Sequence, residues 1–148
     1  MCYIDCNAIL TDSQYAYRPA HSAEDALIDA VTWVSDNTDQ GLVSSITTLD
    51  LSKAFDSVDH GVLLQKLAWY GIPPHWFSDY LADRKQMVRG GTTVLPVSHG
   101  VPQGSIVGPI LFSLFTNDLC NFLPHGKIIS YADDTSILDK ASPNDTSV

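Results

Sequence analysis

Two adjacent carboxylates in Tyr131-Ala132-Asp133-Asp134-Thr135 are the residues of this sequence that point most directly to chemistry. Apolar, β-prone residues flank them, Ile128 and Ile129 before, Ile137 and Leu138 after. That pattern predicts two strands joined by a tight acidic turn. A turn needs only one Asp for its own backbone hydrogen bond. The second adds a like charge that nothing nearby in sequence neutralises, and a divalent cation with oxygen ligands would compensate it. A plain Asp-Asp turn accounts for the same residues unless a second acidic strand end exists elsewhere.

One does, far upstream. Val43, Ile46, Leu49 and Leu51 lie among Thr and Ser in a β-like run that turns polar at Asp50. A carboxylate closing an apolar strand is awkward in a core and useful at the rim of a sheet. If the two segments are neighbours in one sheet, Asp50 and Asp133 converge on the same ions. Two-metal phosphoryl transfer uses this arrangement, with cations about 3.5–4 Å apart stabilising the attacking and leaving oxygens.

The remaining chain supplies the elements that must hold these strand ends. Ser22 is a good N-cap, and Glu24 and Asp25 follow in the first helical turn. Ala26, Leu27, Ala30, Val31 and Val34 form an apolar stripe, so that helix packs on something. Leu63, Leu64, Leu67 and Ala68 give a buried face to a helix over Gly61–Tyr70, stopped by Gly71 and Pro73-Pro74. A short helix follows, whose Trp76, Phe77, Tyr80 and Leu81 read as core. Residues 86–99 read as a hairpin around Gly90-Gly91. From Ser105 to Asp118 a helix carries Ile110, Leu111, Leu114, Phe115 and Leu119 in a core-facing pattern. Asp56 and Asp59 read as turn and cap residues, Phe55 as a plug over the core, Gly104-Ser105 as an N-cap, and Arg18 as a surface charge.

The stretches LDLSKAFDSVDH, GVPQGSIVGPILFSLFTNDL and YADDT, in this order and spacing, resemble the reverse transcriptases of non-LTR (LINE-type) retrotransposons. SQYAYRPAHSAEDAL resembles the fingers motif of that family, with Ala16 where the motif usually carries Gly. YGIPPHWFSDYLADRKQMV follows the family pattern too, and the similarity runs from about Thr11 to Leu138.

The resemblance implies an α+β fold, the right-hand polymerase palm. Its antiparallel sheet would carry Asp50, Asp133 and Asp134 at one rim, with helices packed on the other face. Residues 1–41 would be a partial fingers segment, 42–140 the palm and 141–148 a disordered tail or truncation point. The implied activity is RNA-directed DNA synthesis with two Mg²⁺ ions, Mn²⁺ being a substitute. Asp50 and Asp133 would bind both ions, the Leu51 carbonyl would add a ligand, and Asp134 would be the supporting carboxylate. Phe55 would face the sugar of the incoming nucleotide and exclude a 2′-hydroxyl. Gln103 and Gly104 would line the nucleotide and template pocket, and Arg18 would help hold nucleotide or template. The implied partners are an RNA template, a DNA primer and a dNTP. Thumb and endonuclease regions would belong to a longer polyprotein, and the setting would be intracellular, the nucleus by family resemblance. A group II intron type reverse transcriptase, an RNA-dependent RNA polymerase and a catalytically incomplete remnant are the competing readings. Phe55 and the Tyr131–Asp134 stretch argue against the second.

Composition sets the bounds. With 148 residues, 45% of them hydrophobic, the chain has one domain's worth of sequence and material for a core. Eight Lys and Arg against seventeen Asp and Glu give a formal charge of −9, the wrong sign for a self-sufficient nucleic-acid binder. Arg84, Lys85 and Arg89 fall close together and read as a solvated loop. Cys2, Cys6 and Cys120 lack metal-ligand spacing and point to reduced thiols. The N-terminus has no signal-peptide pattern, and the apolar run from Ile110 to Phe115 is too short to span a bilayer, so no membrane role is expected.

Overall fold

The computed structural model describes residues 3–122 and 126–144. In chain order the elements are α1 (Tyr3–Cys6), α2 (Ala23–Asp39), β1 (Val43–Leu49), a 3₁₀ turn (Ala54–Ser57), α3 (His60–Trp69) and α4 (His75–Leu81). Then come β2 (Lys85–Met87), β3 (Val94–Pro96), α5 (Val107–Thr116), a second 3₁₀ turn (Leu119–Phe122), β4 (Lys127–Tyr131) and β5 (Asp134–Ala141). The fold is α+β with antiparallel sheets, as expected. The chain forms two compact units, one of residues up to Ser52 with those from Asn117 onward, the other Lys53–Thr116. Of the tail expected to be disordered, the last four residues lie outside the described ones.

In the first unit β5 lies between β1 and β4, antiparallel to both. The helix on this sheet is α2, whose Ala26 forms a core with Ile129 and Leu138 while Tyr15, Ala30 and Trp33 pack around it. Ser22 caps α2 as expected, its Oγ accepting the Asp25 N–H at 3.1 Å. The expected stripe is corrected by rotation. Leu27 and Val31 are 64% and 59% exposed, and the inward line runs through Ala26, Ala30, Trp33 and the buried Asn37. Asp29 turns inward with that line because Tyr15 and Lys127 satisfy its carboxylate. Two alanines then let the helix approach the sheet closely while Trp33 fills the remaining space.

In the second unit α3 packs on α5, with Leu63, Leu67, Leu111, Phe112 and Leu114 buried. Asp59 is the N-cap of α3, accepting the Val62 N–H at 2.8 Å. Ala68, expected on the buried face, is exposed, and so is Trp76 at 66%. Each stands one helical step from the inward residues of its own helix, Leu67 and Phe77. The hairpin around Gly90-Gly91 forms as β2 and β3. Helix α5 ends at Thr116, and Leu119 belongs to the second 3₁₀ turn.

Candidate active site

Ladder pairing decides which acidic residues meet. Tyr131 pairs with Asp134, so the β4–β5 loop is the two residues Ala132 and Asp133. Ala132 has φ +59° and Asp133 is not among the positive-φ residues, the pattern of a II′ hairpin turn. On the other side of β5, Leu49 pairs with Thr135. Asp50 is the residue after Leu49 in the chain and Asp134 the one before Thr135. The β1–β5 and β4–β5 pairings thus leave Asp50 and the Asp133-Asp134 pair, more than eighty positions downstream in sequence, at the same end of the sheet. Asp50 and Asp134 are exposed and Asp133 is half-buried. Their side chains are not drawn into a preformed cluster: among the described residues no group of three His, Cys, Asp or Glu stands ready to hold a metal ion. Leu51, just beyond Asp50, is exposed.

The N-terminal loop braces this turn. Gln14 is buried, and its Oε1 accepts the Ala16 N–H at 2.9 Å and the Ala132 N–H at 3.2 Å. Main-chain bonds on either side tie the same loop to β4, Ser130 N–H to Ser13 O at 2.7 Å and Tyr15 N–H to Ser130 O at 2.9 Å. Arg18 folds under its own loop, Nη1 donating to the Thr11 and Gln14 carbonyls at 2.8 and 3.1 Å. Its Nη2 lies 3.9 Å from Asp12. Below the turn, Asp29 on α2 accepts from the Tyr15 hydroxyl at 2.7 Å and from Lys127 at the start of β4. Burial pushes the Tyr15 phenol up to about 12, with the hydrogen bond to Asp29 adding to the shift. Burial would also raise the Asp29 carboxyl, but hydrogen bonds from Lys127 and Tyr15, with the Lys127 charge, hold it below the usual range.

The second unit holds the other candidates. Phe55 sits in the 3₁₀ turn, half-buried, its ring stacked on Phe112 at 4.5 Å between centroids. Its carbonyl accepts the Val101 N–H at 2.8 Å, and Gly100 N–H donates to Val58 O at 2.7 Å. His60 Nε2 contacts Gly100 O at 2.8 Å. The 54–60 segment and the Gly100-Val101 stretch are therefore stitched together through backbone. Gln103 Nε2 donates to Asp56 Oδ1 at 3.2 Å. Ser105 Oγ accepts the Gly108 N–H at 2.9 Å, as a helix cap does. A cavity of about 800 Å³ opens here, lined among others by Lys53, Asp56, Arg84, Lys85, His99 and Gln103. Arg84 is not a loosely solvated charge. Its Nε donates to Tyr80 O at 2.8 Å and its guanidinium lies 4.4 Å from the Tyr80 ring centroid.

The family described as Reverse transcriptase (RNA-dependent DNA polymerase) matches residues 3–146. The chain belongs to the reverse transcriptase family. Among its curated relatives, the probable RNA-directed DNA polymerase from transposon BS of Drosophila melanogaster is 32% identical, covering 88% of this chain and 16% of that protein. The RNA-directed DNA polymerase from mobile element jockey of the same fly is 29% identical, covering 93% of this chain and 16% of that protein. A putative 115 kDa protein in a type-1 retrotransposable element, also from that fly, is 32% identical over 84% of this chain and 12% of its own length. The resemblance to non-LTR retrotransposon sequences is thereby borne out, and this reverse transcriptase chain spans 12–16% of the length of these relatives. Among the described residues no helix is long and apolar enough to cross a membrane. Two features of the reverse transcriptase chain were not legible as site residues in the sequence. Gln14 is a single polar residue in a loop, and Lys53 lies some thirty positions from the Arg84-Lys85 pair that shares its cavity.

Proposed function

We propose that this reverse transcriptase segment carries the catalytic carboxylates of RNA-templated DNA synthesis, and that Asp50 and Asp133 bind two Mg²⁺ ions. The pairing of Leu49 with Thr135, which leaves Asp50 and the Ala132-Asp133 loop at one end of the sheet, supports the reading. The donors fit the ion: they are all hard oxygens, as Mg²⁺ prefers. Mg²⁺ keeps several waters and binds through one or two carboxylates plus substrate phosphates, so a three-carboxylate cage is not required. The Leu51 carbonyl is an additional ligand in this reading, and Asp134 is the supporting carboxylate. When bound, the ions lower the charge barrier between a primer 3′-hydroxyl and the α-phosphate of a dNTP and stabilise the departing pyrophosphate.

The chain's own residues have separate tasks. Asp50 presents carboxylate oxygens from just beyond the end of β1, and Asp133 from the β4–β5 loop beside it. Phe55 presents an apolar ring edge that offers a 2′-hydroxyl neither room nor a hydrogen bond. Its ring is held in place by the stack on Phe112. Gln103 and Gly104 border nucleotide and template, with Lys53 and Lys85 supplying positive charge to the cavity that Gln103 lines. Arg18 has its Nη1 committed to loop carbonyls, so its contribution to nucleotide or template is through the shape of that loop. Residues 1–41 belong to the fingers and 42–140 to the palm in this reading. RNA template, DNA primer and dNTP are the partners, and thumb and endonuclease regions lie in a longer polyprotein.

The test is Mn²⁺ and Mg²⁺ binding by calorimetry on the parent and on Asp133→Asn. Binding that disappears in the variant supports the site. Equal binding by both proteins removes it.

A further inference from the structure

The acidic turn is held from outside its own hairpin. Ala132 occupies a left-handed backbone position, φ +59°, which costs an L-residue about 1–2 kcal/mol. A II′ turn normally places glycine there. Something must stabilise the conformation, and the β4–β5 ladder does not, because it closes at Tyr131 and Asp134 and leaves the Ala132 N–H outside. That N–H donates to Gln14 Oε1 at 3.2 Å. The same oxygen accepts the Ala16 N–H, so its two lone pairs are both used. Gln14 itself cannot drift. It is 4% exposed, its neighbours Ser13 and Tyr15 are bonded to the Ser130 backbone, and its carbonyl accepts from Arg18.

We propose that Gln14 is a positioning residue for the Asp133 carboxylate, acting through the Ala132 N–H. With the acceptor in place the Tyr131–Ala132 peptide has one orientation, and Asp133, the next residue, is presented at the sheet end in one direction. Without it the peptide plane rotates and the carboxylate moves with it. The effect on metal affinity rests on the proposed role of Asp133 as a ligand, whereas the brace itself does not.

The experiment compares the parent chain with Gln14→Met, which keeps the length and lacks the strong acceptor, and with Gln14→Glu, which keeps an oxygen. Amide hydrogen exchange is read residue by residue by NMR without metal. The Ala132 amide is expected to exchange at least tenfold faster in Gln14→Met, with Ile129 and Leu138 changing little, and to recover protection in Gln14→Glu. Mn²⁺ affinity, measured by calorimetry, should fall severalfold in Gln14→Met beside an Asp133→Asn control. An unchanged Ala132 rate overturns the proposal. So does acceleration shared equally with Ile129 and Leu138, which would make Gln14 an ordinary packing residue. If Asp133→Asn keeps full Mn²⁺ binding, the metal reading falls, and the Ala132 rate alone decides for or against the brace. Should Gln14→Met not fold, the parent decides: an Ala132 amide exchanging as fast as an unbonded loop amide refutes the brace.

Discussion

Gly100→Ala and Gly104→Ala differ in one physical respect, and the difference can be measured. Both glycines have positive φ, +87° and +79°. An alanine in that region costs about 1–2 kcal/mol. Part of the penalty is offset, by about 0.4–1 kcal/mol, because alanine also restricts the unfolded chain. Around Gly104 a Cβ meets nothing within 4 Å, so its substitution should cost on the order of 1 kcal/mol. At Gly100 the Cβ would stand 2.9 Å from Asp56 Cα, 3.0 Å from Asp56 O and 3.2 Å from Asp56 C. Carbon atoms normally approach to about 3.5–4.0 Å. The opposing atoms are backbone, and the bonds from Gly100 to Val58 and from Val101 to Phe55 prevent them from yielding. Overpacking of this kind adds about 1–3 kcal/mol. Gly100→Ala should therefore cost about 2–4 kcal/mol, roughly 1–3 more than Gly104→Ala. Urea unfolding followed by circular dichroism gives both values, provided the slopes agree. Equal midpoints for the two variants would mean that Gly100 does not approach the Asp56 backbone, and the stitch between the 54–60 and 99–101 segments would have to be abandoned.

Two further outcomes follow from the hydrogen-bond network and the stacked ring. Tyr15 has its pKa raised from 10.0 to about 12 in the folded chain. Between those values the unfolded chain has lost the proton and the folded chain keeps it, so stability should fall as pH rises from about 10 to about 12. Solvent screening reduces the effect to on the order of 1 kcal/mol. The depressed Asp29 carboxyl acts on the acid side, contributing stability above the unfolded pKa of about 3.9 that is lost as pH falls through the lower folded value. Denaturant midpoints across pH should show the alkaline decline in the parent and a flatter profile in Tyr15→Phe; identical alkaline slopes would mean that the Tyr15 phenol is not the group behind the decline. In a longer polypeptide that includes the thumb, Phe55→Ala should raise ribonucleotide incorporation relative to deoxyribonucleotide. An unchanged ratio would leave Phe55 as nothing more than the ring that covers Phe112.

What the sequence revealed and what it hid divide along the range of the interactions. The β4–β5 hairpin was legible because strand alternation and turn residues are local, and the Asp59 cap and the Leu63 and Leu67 face of α3 for the same reason. The face of α2 was not, because its rotation depends on Asp29 finding Tyr15 and Lys127, the latter nearly a hundred positions away. Gln14 had no pattern to betray it, since its partner Ala132 lies 118 positions downstream. That the end of β1 before Asp50 lies beside the start of β5 required knowing that β1 pairs with β5, which no local periodicity records.

The net charge of −9 read as a bar to nucleic acid, and the structure changes where that argument applies rather than its sign. Arg18, Lys66, Arg84 and Lys127 are engaged with the chain itself: loop carbonyls, the Phe115 carbonyl, the Tyr80 carbonyl and ring, and the Asp29 carboxylate. These four cations serve the fold, and each would have to leave a partner to reach a phosphate. Lys53 and Lys85, by contrast, are exposed at one cavity with Gln103. Arg89 and Lys140 are exposed too, outside that cavity's lining, so only two of the four exposed cations share one site, and the acidic excess includes the strand ends of the first unit. A uniform count along the sequence misses this division. Binding of nucleic acid at physiological salt draws on several phosphate contacts at once. Four exposed cations, two of them outside the cavity, are few against seventeen carboxylates, so a firm grip on a primer–template requires cationic surface beyond these residues.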